Sequence, residues 1–443
     1  MQIVKNVLFA LTATAFMSFS AKAQKVEFTE YDLPNGLHVI LHADHHAPVV
    51  AVSVMYHVGS KNEEPGRTGF AHFFEHLLFE GSDNIKRGQF MKIVSANGGS
   101  NNANTTQDRT FYYEVFPSNY LETGLWLESE RMMHPVINDI GVKIQDEVVK
   151  EEKRQSFDNR PYGNFINTVA KDLFTTHPYH NGVIGEMKDI DAAKLDEFKA
   201  FFKQYYVPNN AVLTIAGDID PVKTKALIAG YFGPIPGGPP VVYHKVDEPP
   251  MTKAIVDTFY DANTQIPLVA VAYRIPGRNS RDARVMQMIS NLLSTGGSSR
   301  LYKKMVDDKK EALQVLAFNY TLEDYGMYII GALPNNSTNE VLLKDIDDEV
   351  VKLQTDLISQ EDYQKLENQM ENNYVNANSR QLGIAENLAN GYTFYHKDTN
   401  ELNEELAVYK SITREEIRDA AKKYLDANKR LTLYYLPGKA KAK

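Results

Sequence analysis

Helical and strand-like hydrophobic patterns alternate along the chain, and one combination of them occurs twice. An amphipathic stretch beginning at Leu195 leads through a Pro-Asn-Asn turn into an apolar segment typical of a buried strand, at 206–215. A similar segment at 424–433 follows a helix that Thr413 and Glu416 start with the spacing of a capping box. The copies begin 218 positions apart. This pattern predicts an internal repeat.

A second pair of strand-like segments supports the repeat, because residues 52–56 resemble residues 269–273 at an offset of 217. The chain has 443 residues, more than the roughly 250–300 that one hydrophobic core usually serves. We therefore predict two α+β domains at 24–235 and 250–443. A segment rich in proline and glycine begins the predicted linker at 236–249.

The first residues have the pattern of a secretory signal. Lys5 precedes a mostly apolar run from 7 to 19, and Ala21-Lys22-Ala23 matches an A-x-A cleavage site. We predict a signal peptide at 1–23 and a mature protein that works outside the cytoplasm. The apolar run has 13 residues, whereas about 20 are needed to cross a bilayer, so an uncleaved membrane anchor is the weaker alternative. Stable membrane insertion is not expected.

Charge and cysteine content narrow the chemistry. The chain has 48 Lys and Arg against 57 Asp and Glu, a net charge of -9, which argues against nucleic acid as a partner. It contains no cysteine, which excludes disulfides, thiolate metal sites and a cysteine nucleophile. Any metal must therefore be held by His, Asp or Glu.

A candidate metal site lies in the apolar segment 70–79, which contains no helix breaker and is typical of a buried helix. His72 and His76 are spaced i and i+4, so both imidazoles lie on one helix face and can share an ion. Glu75 lies beside them and, if buried, needs a partner. A chain of this composition would contain such a motif by chance only about 0.04 times. A metal site is therefore favoured over unrelated core histidines.

The acidic stretch 146–152 offers a third ligand. On a helical wheel Glu152 lies between Val148 and Val149 on the apolar face, whereas Glu151 lies off that face. We predict Glu152 as the ligand and Glu151 as solvated. Two histidines and one glutamate leave the fourth position of zinc to water, whose pKa the ion lowers toward about 7. Glu75 could take the proton of that water, which predicts hydrolysis.

The segment His72-Phe73-Phe74-Glu75-His76, followed 76 positions later by Glu152, resembles the pitrilysin/insulinase metallopeptidases, whose motif is H-x-x-E-H. The size, the two halves and the segment 148–155 are similar to the half-length branch with the mitochondrial processing peptidases and bacterial periplasmic zinc proteases. The resemblance implies one Zn²⁺ per chain on His72, His76 and Glu152, with Glu75 as general base. It also implies two similar domains, each a mostly antiparallel sheet with packed helices, and a periplasmic location.

The resemblance extends to substrate binding. Asn102, Ala103 and Asn104 are similar to the family's edge strand, which pairs with the backbone of a peptide substrate. A plain polar edge strand is the alternative interpretation of these residues.

Two departures from the family pattern affect the metal site. Many members have an acid seven positions before the distal ligand, where this chain has Gln145. Aligning the two halves places Gln287, Ser290 and Asn291 opposite His72, Glu75 and His76, listed in chain order. The second half therefore cannot hold the metal.

A third departure concerns assembly. Family members that act alone carry an Arg and a Tyr after a Ser-Ser-Arg-Leu segment, whereas here Val306 and Leu313 follow that segment, at 298–301. Neither side chain can donate a hydrogen bond. The family also builds its chamber from four repeats, and this chain supplies two. We therefore expect a heterodimer with a homologous subunit that carries the Arg and the Tyr.

These features predict a secreted zinc endopeptidase that hydrolyses unfolded or short peptides. A non-catalytic scaffold subunit is one alternative, but it would not need Glu75 beside a bound water. A metal-binding or buffering protein is the other, and it would not need the edge strand.

Overall fold

The computed structural model describes residues 25–243 and 245–438. The predicted signal peptide at 1–23 lies outside these residues. The described chain forms two mixed sheets covered by helices, which confirms the predicted α+β class.

The first sheet has six strands in the order β1-β2-β6-β3-β5-β4. The β2–β6 pair is parallel and the other pairs are antiparallel. The strands are β1 (Thr29–Asp32), β2 (His38–Ala43), β3 (Val49–Tyr56), β4 (Ser100–Thr105), β5 (Thr110–Pro117) and β6 (Ala211–Gly217). Strand β4 is at the end of the order, so one of its edges is not used within the sheet.

The second sheet has five strands in the order β7-β11-β8-β10-β9, with only β7–β11 parallel. The strands are β7 (Ile255–Asp261), β8 (Leu268–Pro276), β9 (Ala312–Thr321), β10 (Tyr325–Pro334) and β11 (Leu431–Pro437). Without β1, the strands of the first sheet follow the same order. The predicted repeat of two similar domains is therefore present.

The strands at 52–56 and 269–273 keep their faces in the repeat. Val52, Val54 and Tyr56 of β3 are buried in the core of the first half, and Val269, Val271 and Tyr273 of β8 are buried in the core of the second half. The offset of 217 therefore relates side chains on equivalent faces of the two sheets. An offset changed by one residue would turn the side chains to the opposite face.

Within the described residues, the first half contains eight helices and the second half contains six. Those of the first half are α1 (Phe70–Leu77), α2 (Phe90–Ala96), α3 (Leu121–Met133), α4 (Asp139–Lys153), α5 (Phe165–Leu173), α6 (Met187–Ala192), α7 (Leu195–Tyr205) and α8 (Pro221–Phe232). Those of the second half are α9 (Arg281–Ser294), α10 (Asn339–Thr355), α11 (Gln360–Ala377), α12 (Gln381–Phe394), α13 (Glu401–Lys410) and α14 (Arg414–Tyr424). None of these helices combines the length and the apolar character needed to span a bilayer.

The predicted capping box at the start of α14 is confirmed. The Thr413 hydroxyl accepts a hydrogen bond from the Glu416 N–H at 3.2 Å, and the Glu416 carboxylate accepts one from the Thr413 N–H at 2.7 Å. Two of the free N–H groups at the helix start are satisfied in this way.

The two halves exchange helices. Helix α5 of the first half packs Val169 and Leu173 against the second sheet, in one cluster with Leu431. Helix α12 of the second half packs Leu388 against the first sheet, in one cluster with Ile40. Each sheet is thus covered on one face by its own helices and on the other by a helix from the opposite half. The two halves share their hydrophobic cores and form one unit.

The chain between α8 and β7 contacts both halves. The Tyr243 ring stacks on His57 at 4.2 Å between centroids. The Glu248 carboxylate accepts hydrogen bonds from the backbone N–H groups of Thr175, Thr176 and His177 at 2.7–2.9 Å. Glu248 also forms an ion pair with Arg274 of β8 at 3.1 Å, so Tyr243 and Glu248 between them contact both halves.

Candidate metal centre and catalytic base

Helix α1, which carries the motif, is held in place at its start and along its aromatic face. Gly69 adopts a φ of 91°, a conformation that favours glycine, just before the first helical residue. The Glu63 carboxylate accepts hydrogen bonds from the N–H groups of Gly69 and Ala71, both at 2.8 Å. Phe70 stacks on Phe198 of α7 at 4.6 Å between centroids. These contacts fix the position of the helix and the direction of its side chains.

The structure brings the three predicted ligands together. His72 Nε2 lies 3.6 Å from Glu152 Oε1, and His76 Nε2 lies 3.1 Å from Glu152 Oε2. One ligand atom from each residue lies within 4.8 Å of the other two. Zinc bonds of about 2.0–2.2 Å in a tetrahedral site place ligand atoms about 3.3–3.6 Å apart. The donor set and its spacing therefore fit a zinc ion.

The histidines also influence the charge state of the third residue. Hydrogen bonds from His72 and then His76 lower the pKa of Glu152 well below its ordinary value and outweigh the opposing effect of burial. The carboxylate is therefore ionised, as a metal ligand must be.

Helix α4 presents Glu152 and Glu151 to different surroundings. Glu152 faces the histidines, whereas Glu151 is exposed and forms an ion pair with Arg154 at 2.9 Å. The helical-wheel argument was wrong about one residue, because Val148 is 43% exposed whereas Val149 is fully buried. The buried face of α4 runs through Val149, three residues before Glu152. An apolar side chain is buried only where the helix faces a neighbouring element, and Val148 lies outside that face.

The predicted base, Glu75, lies on α1 between the two histidines in sequence and is half-buried. Its Oε2 atom accepts a hydrogen bond from the Thr105 hydroxyl at 2.6 Å. Thr105 is the last residue of β4. Strand β4, which is predicted to bind substrate, therefore orients the carboxylate of the predicted base.

The register of the β4–β5 hairpin determines which backbone groups of β4 are available. The Thr106 N–H donates to the Arg109 carbonyl at 2.8 Å, and the Arg109 N–H donates to the Thr106 hydroxyl at 3.1 Å, so these two residues are a hydrogen-bonded pair at the end of the hairpin. Hydrogen-bonded pairs alternate along an antiparallel ladder. The N–H and C=O groups of Asn101, Ala103 and Thr105 therefore point away from β5, toward the free edge.

The three predicted substrate-binding residues lie on this edge strand, but they are not equivalent. Ala103 presents its backbone groups to the free edge. The backbone groups of Asn102 and Asn104 point toward β5, where they pair with the strand. The Asn104 side-chain oxygen accepts a hydrogen bond from Arg109 at 2.5 Å. Only Ala103 of the predicted set can therefore pair through its backbone with an added strand.

The departures from the family pattern have structural counterparts. Gln145 donates a hydrogen bond to Glu80 at 2.5 Å and forms no hydrogen bond with the predicted ligands. In the second half, Gln287 donates to Asn291 at 3.1 Å on α9. Within the described residues, His72, His76 and Glu152 are the only group that could hold a metal ion.

Val306 and Leu313, at the positions where the family resemblance predicts an Arg and a Tyr, lie on neighbouring elements of the second half. Val306 is part of a π-helical segment (Tyr302–Asp308) and packs against the core. Leu313 lies near the start of β9 and is 49% exposed. Neither residue offers a hydrogen-bond donor from its side chain.

Sequence reasoning missed Thr105, Arg109 and Glu386 as neighbours of the site. The alternation of β4 could have indicated Thr105, because its side chain is on the same face as that of Ala103. Nothing local could have indicated Glu386, which is 277 positions from its partner Arg109.

Comparison with known proteins agrees with this fold. Residues 38–186 match the family model described as insulinase (peptidase family M16), and residues 192–370 match the model described as the peptidase M16 inactive domain. The chain is 32% identical over 363 residues to the zinc protease PqqE of Helicobacter pylori, covering 80% of this chain and 81% of that protein. The protein therefore belongs to the M16 family of peptidases and is similar to zinc proteases.

Solved structures show the same architecture. A protease from Helicobacter pylori superposes with a TM-score of 0.88 at 28% identity, covering 93% of this chain and 100% of that chain. The periplasmic protease PqqL from Escherichia coli superposes with a TM-score of 0.78 at 17% identity. That match covers 93% of this chain but 48% of the PqqL chain, so this chain spans about half of that protein.

Proposed function

We propose that the protein is a zinc-dependent endopeptidase in which His72, His76 and Glu152 hold one Zn²⁺ and Glu75 is the general base. The convergence of the three ligand atoms within 4.8 Å is the observation that carries this proposal. When bound, the ion acts as a Lewis acid that makes a water molecule more acidic and polarises a carbonyl.

Glu75 moves the proton in this mechanism. Its carboxylate lies beside the ligands, takes a proton from the attacking water and returns it to the leaving amine. The hydrogen bond from Thr105 occupies one side of the carboxylate and leaves its other oxygen available. General base catalysis of this kind contributes about 10²–10⁴-fold in rate. A scaffold subunit would gain nothing from a carboxylate held in this position.

The free edge of β4 is the proposed substrate site. An extended peptide can add to the sheet there by pairing with the outward backbone groups of Asn101, Ala103 and Thr105. Main-chain pairing makes few demands on side chains but requires an extended substrate. Unfolded or short peptides meet that requirement, whereas folded domains do not.

We also propose that the chain acts outside the cytoplasm with a homologous partner. The signal peptide predicted at 1–23 supports secretion to the periplasm, as does the similarity to a periplasmic protease. The domains proposed at 24–235 and 250–443, joined by 236–249, supply only two repeats. Val306 and Leu313 leave this chain without the Arg and Tyr of the family. A partner of similar size that carries them would complete the assembly.

Glu75→Gln tests the role of the base. It should keep bound zinc and abolish peptide hydrolysis, because it removes the proton acceptor and spares all three ligands. The two measurements are zinc content by metal analysis and cleavage of an unfolded peptide, with wild type and variants assayed together with the partner subunit if the chain alone is inactive. Glu151→Gln, an exposed neighbour of the site, should leave both unchanged. Loss of zinc from Glu75→Gln would make Glu75 a ligand instead, and retained cleavage would exclude it as the base.

A further inference from the structure

The turn of the β4–β5 hairpin joins the predicted active site to the second half. The Tyr320 hydroxyl, near the end of β9, donates to the side-chain oxygen of Gln107 at 3.0 Å. In the following turn, the N–H of Glu323 donates to Asp108 Oδ2 at 2.8 Å. The corresponding hairpins of the two halves thus meet at their tips.

Asp108 anchors this contact in the interior. Its side chain is fully buried and accepts a hydrogen bond from the Tyr179 hydroxyl at 2.6 Å. Lys61 Nζ lies 3.1 Å from the same carboxylate and 2.5 Å from Glu323 Oε2. Separating a buried ion pair exposes an uncompensated charge and is strongly unfavourable. The hairpin tip therefore cannot shift relative to the second half without a large cost.

Arg109, the next residue, links the edge strand to the second half. Its guanidinium donates to the Asn104 side-chain oxygen on β4 and to Glu386 Oε1 on α12, both at 2.5 Å. The side chain of Arg109 is 10% exposed and that of Glu386 is 33% exposed. Water therefore weakens this ion pair less than it weakens a surface pair. The Arg109 side chain therefore connects β4 to α12 of the second half.

These contacts form a continuous path to the base. Asn104, held by Arg109, immediately precedes Thr105, whose hydroxyl donates to Glu75. The path crosses from the second half to the first by one ion pair, Arg109–Glu386, and ends on the carboxylate that takes the proton.

We propose that the second half, whose described residues include none of the three predicted metal ligands, positions the general base through Glu386, Arg109 and Thr105. This inference rests on the proposed function, because it assumes that Glu75 is the base. The three side chains are positioning residues: they orient β4 and the Glu75 carboxylate and do not touch the reacting atoms. A displacement of about 1 Å of a catalytic group can reduce the rate by about 10²-fold.

Thr105→Val removes the hydroxyl and keeps the shape of the side chain. It should lower kcat by about 10-fold or more, keep KM within about threefold, and retain zinc, because only the orientation of the base changes. Thr105→Ser should restore most of kcat, because serine keeps the hydroxyl. Thr258→Val, at an exposed threonine on β7, is the matched control and should not change kcat. A normal kcat for Thr105→Val would overturn the proposal.

Glu386→Gln tests the distant end of the path. It provides an independent test if Thr105→Val does not fold. It should lower kcat by about threefold to 10-fold without loss of zinc. Glu371→Gln on α11, where the glutamate pairs with Lys410 at 2.9 Å, is the matched control and should have no effect. In the double variant Thr105→Val plus Glu386→Gln, the two losses should be less than additive, because both act through one hydrogen bond. Additive losses would contradict a common path.

The same assay separates this inference from the proposed function. If Glu75→Gln abolishes cleavage while Thr105→Val and Glu386→Gln behave as the wild type, the positioning inference is wrong and the proposed function stands. If Glu75→Gln retains cleavage, the proposed function itself is wrong.

Discussion

Two adjacent acids on α4 make the metal assignment testable at the scale of single residues. Glu152→Ala should lose most of the zinc, because one of three ligands is removed. Glu151→Ala should keep it, because Glu151 faces solvent and pairs with Arg154. Metal analysis of both purified variants after dialysis distinguishes them. Equal zinc retention would disprove the assignment of the third ligand.

The charged carboxylate of Glu248 anchors the segment between α8 and β7 to the backbone at residues 175–177. Burial raises its pKa, but hydrogen bonds from the N–H groups of His177, Thr175 and Thr176 outweigh burial, and the net pKa is below the ordinary 4.5. A carboxylate with a lowered pKa in the folded state stabilises the protein above about pH 4.5. That stabilisation decreases as the pH falls through the folded-state pKa.

Glu248→Gln should therefore lower the free energy of unfolding by about 1.5–3 kcal/mol at pH 7. The difference from the wild type should become smaller below pH 4.5, because the carboxylate becomes protonated first in the unfolded chain and, at lower pH, in the folded protein. Urea unfolding at pH 7 and pH 4 measures both values. Glu147→Gln, whose side chain is 71% exposed, serves as the control. A difference that grows at low pH would contradict the sign of this argument.

At the scale of elements, the sequence predicted what depends on local spacing. The i, i+4 placement of His72 and His76 is a property of one helix, so α1 and the pairing of its imidazoles followed from the motif. The edge position of β4 followed from the family resemblance, and the repeat of two similar halves followed from the recurring segments of the sequence. The exposure of Val148 was not foreseen, because periodicity identifies an apolar stripe but not the surface that covers it.

The exchange of α5 and α12 could not be predicted for a related reason. An amphipathic helix shows that it has an apolar face, and any apolar sheet surface can cover that face. Which sheet α12 covers depends on the path of the chain over nearly 400 residues. The Arg109–Glu386 pair arises from that path, so no local pattern indicates it.

Leu388→Ala tests whether the exchanged helix α12 is part of the core of the first sheet. Leu388 is fully buried in the cluster that contains Ile40, so the substitution should cost about 2–5 kcal/mol. Because α12 belongs to both halves, one cooperative transition should shift as a whole in urea unfolding. Val375→Ala, at a position 52% exposed on α11, should have little effect. Two separate transitions, with only one shifted, would show that the halves unfold independently.

At the scale of the whole molecule, the two halves have the same strand order and different roles. The first half carries the convergent ligands, the base and the free edge of β4. The second half has neither ligands nor a base at the corresponding positions of α9, but its α12 and its β9–β10 turn contact the hairpin that bears Thr105. The two halves thus differ in role: the first half carries the predicted site, and the second half contacts the hairpin beside it.

The family resemblance predicts a chamber of four repeats, of which this chain supplies two, and it predicts an Arg and a Tyr at the positions of Val306 and Leu313. A homodimer would provide four repeats but no donors for the substrate carbonyl at these positions. We therefore expect the purified chain to cleave unfolded peptides weakly or not at all. Co-expression with a secreted homologue of similar size that lacks H-x-x-E-H and retains the Arg and Tyr should raise the rate by about 10²-fold or more, because the missing donors position and stabilise the reacting carbonyl. If the chain, shown free of other proteins, cleaves peptides at a rate that such a partner does not raise, it works without a heterologous subunit.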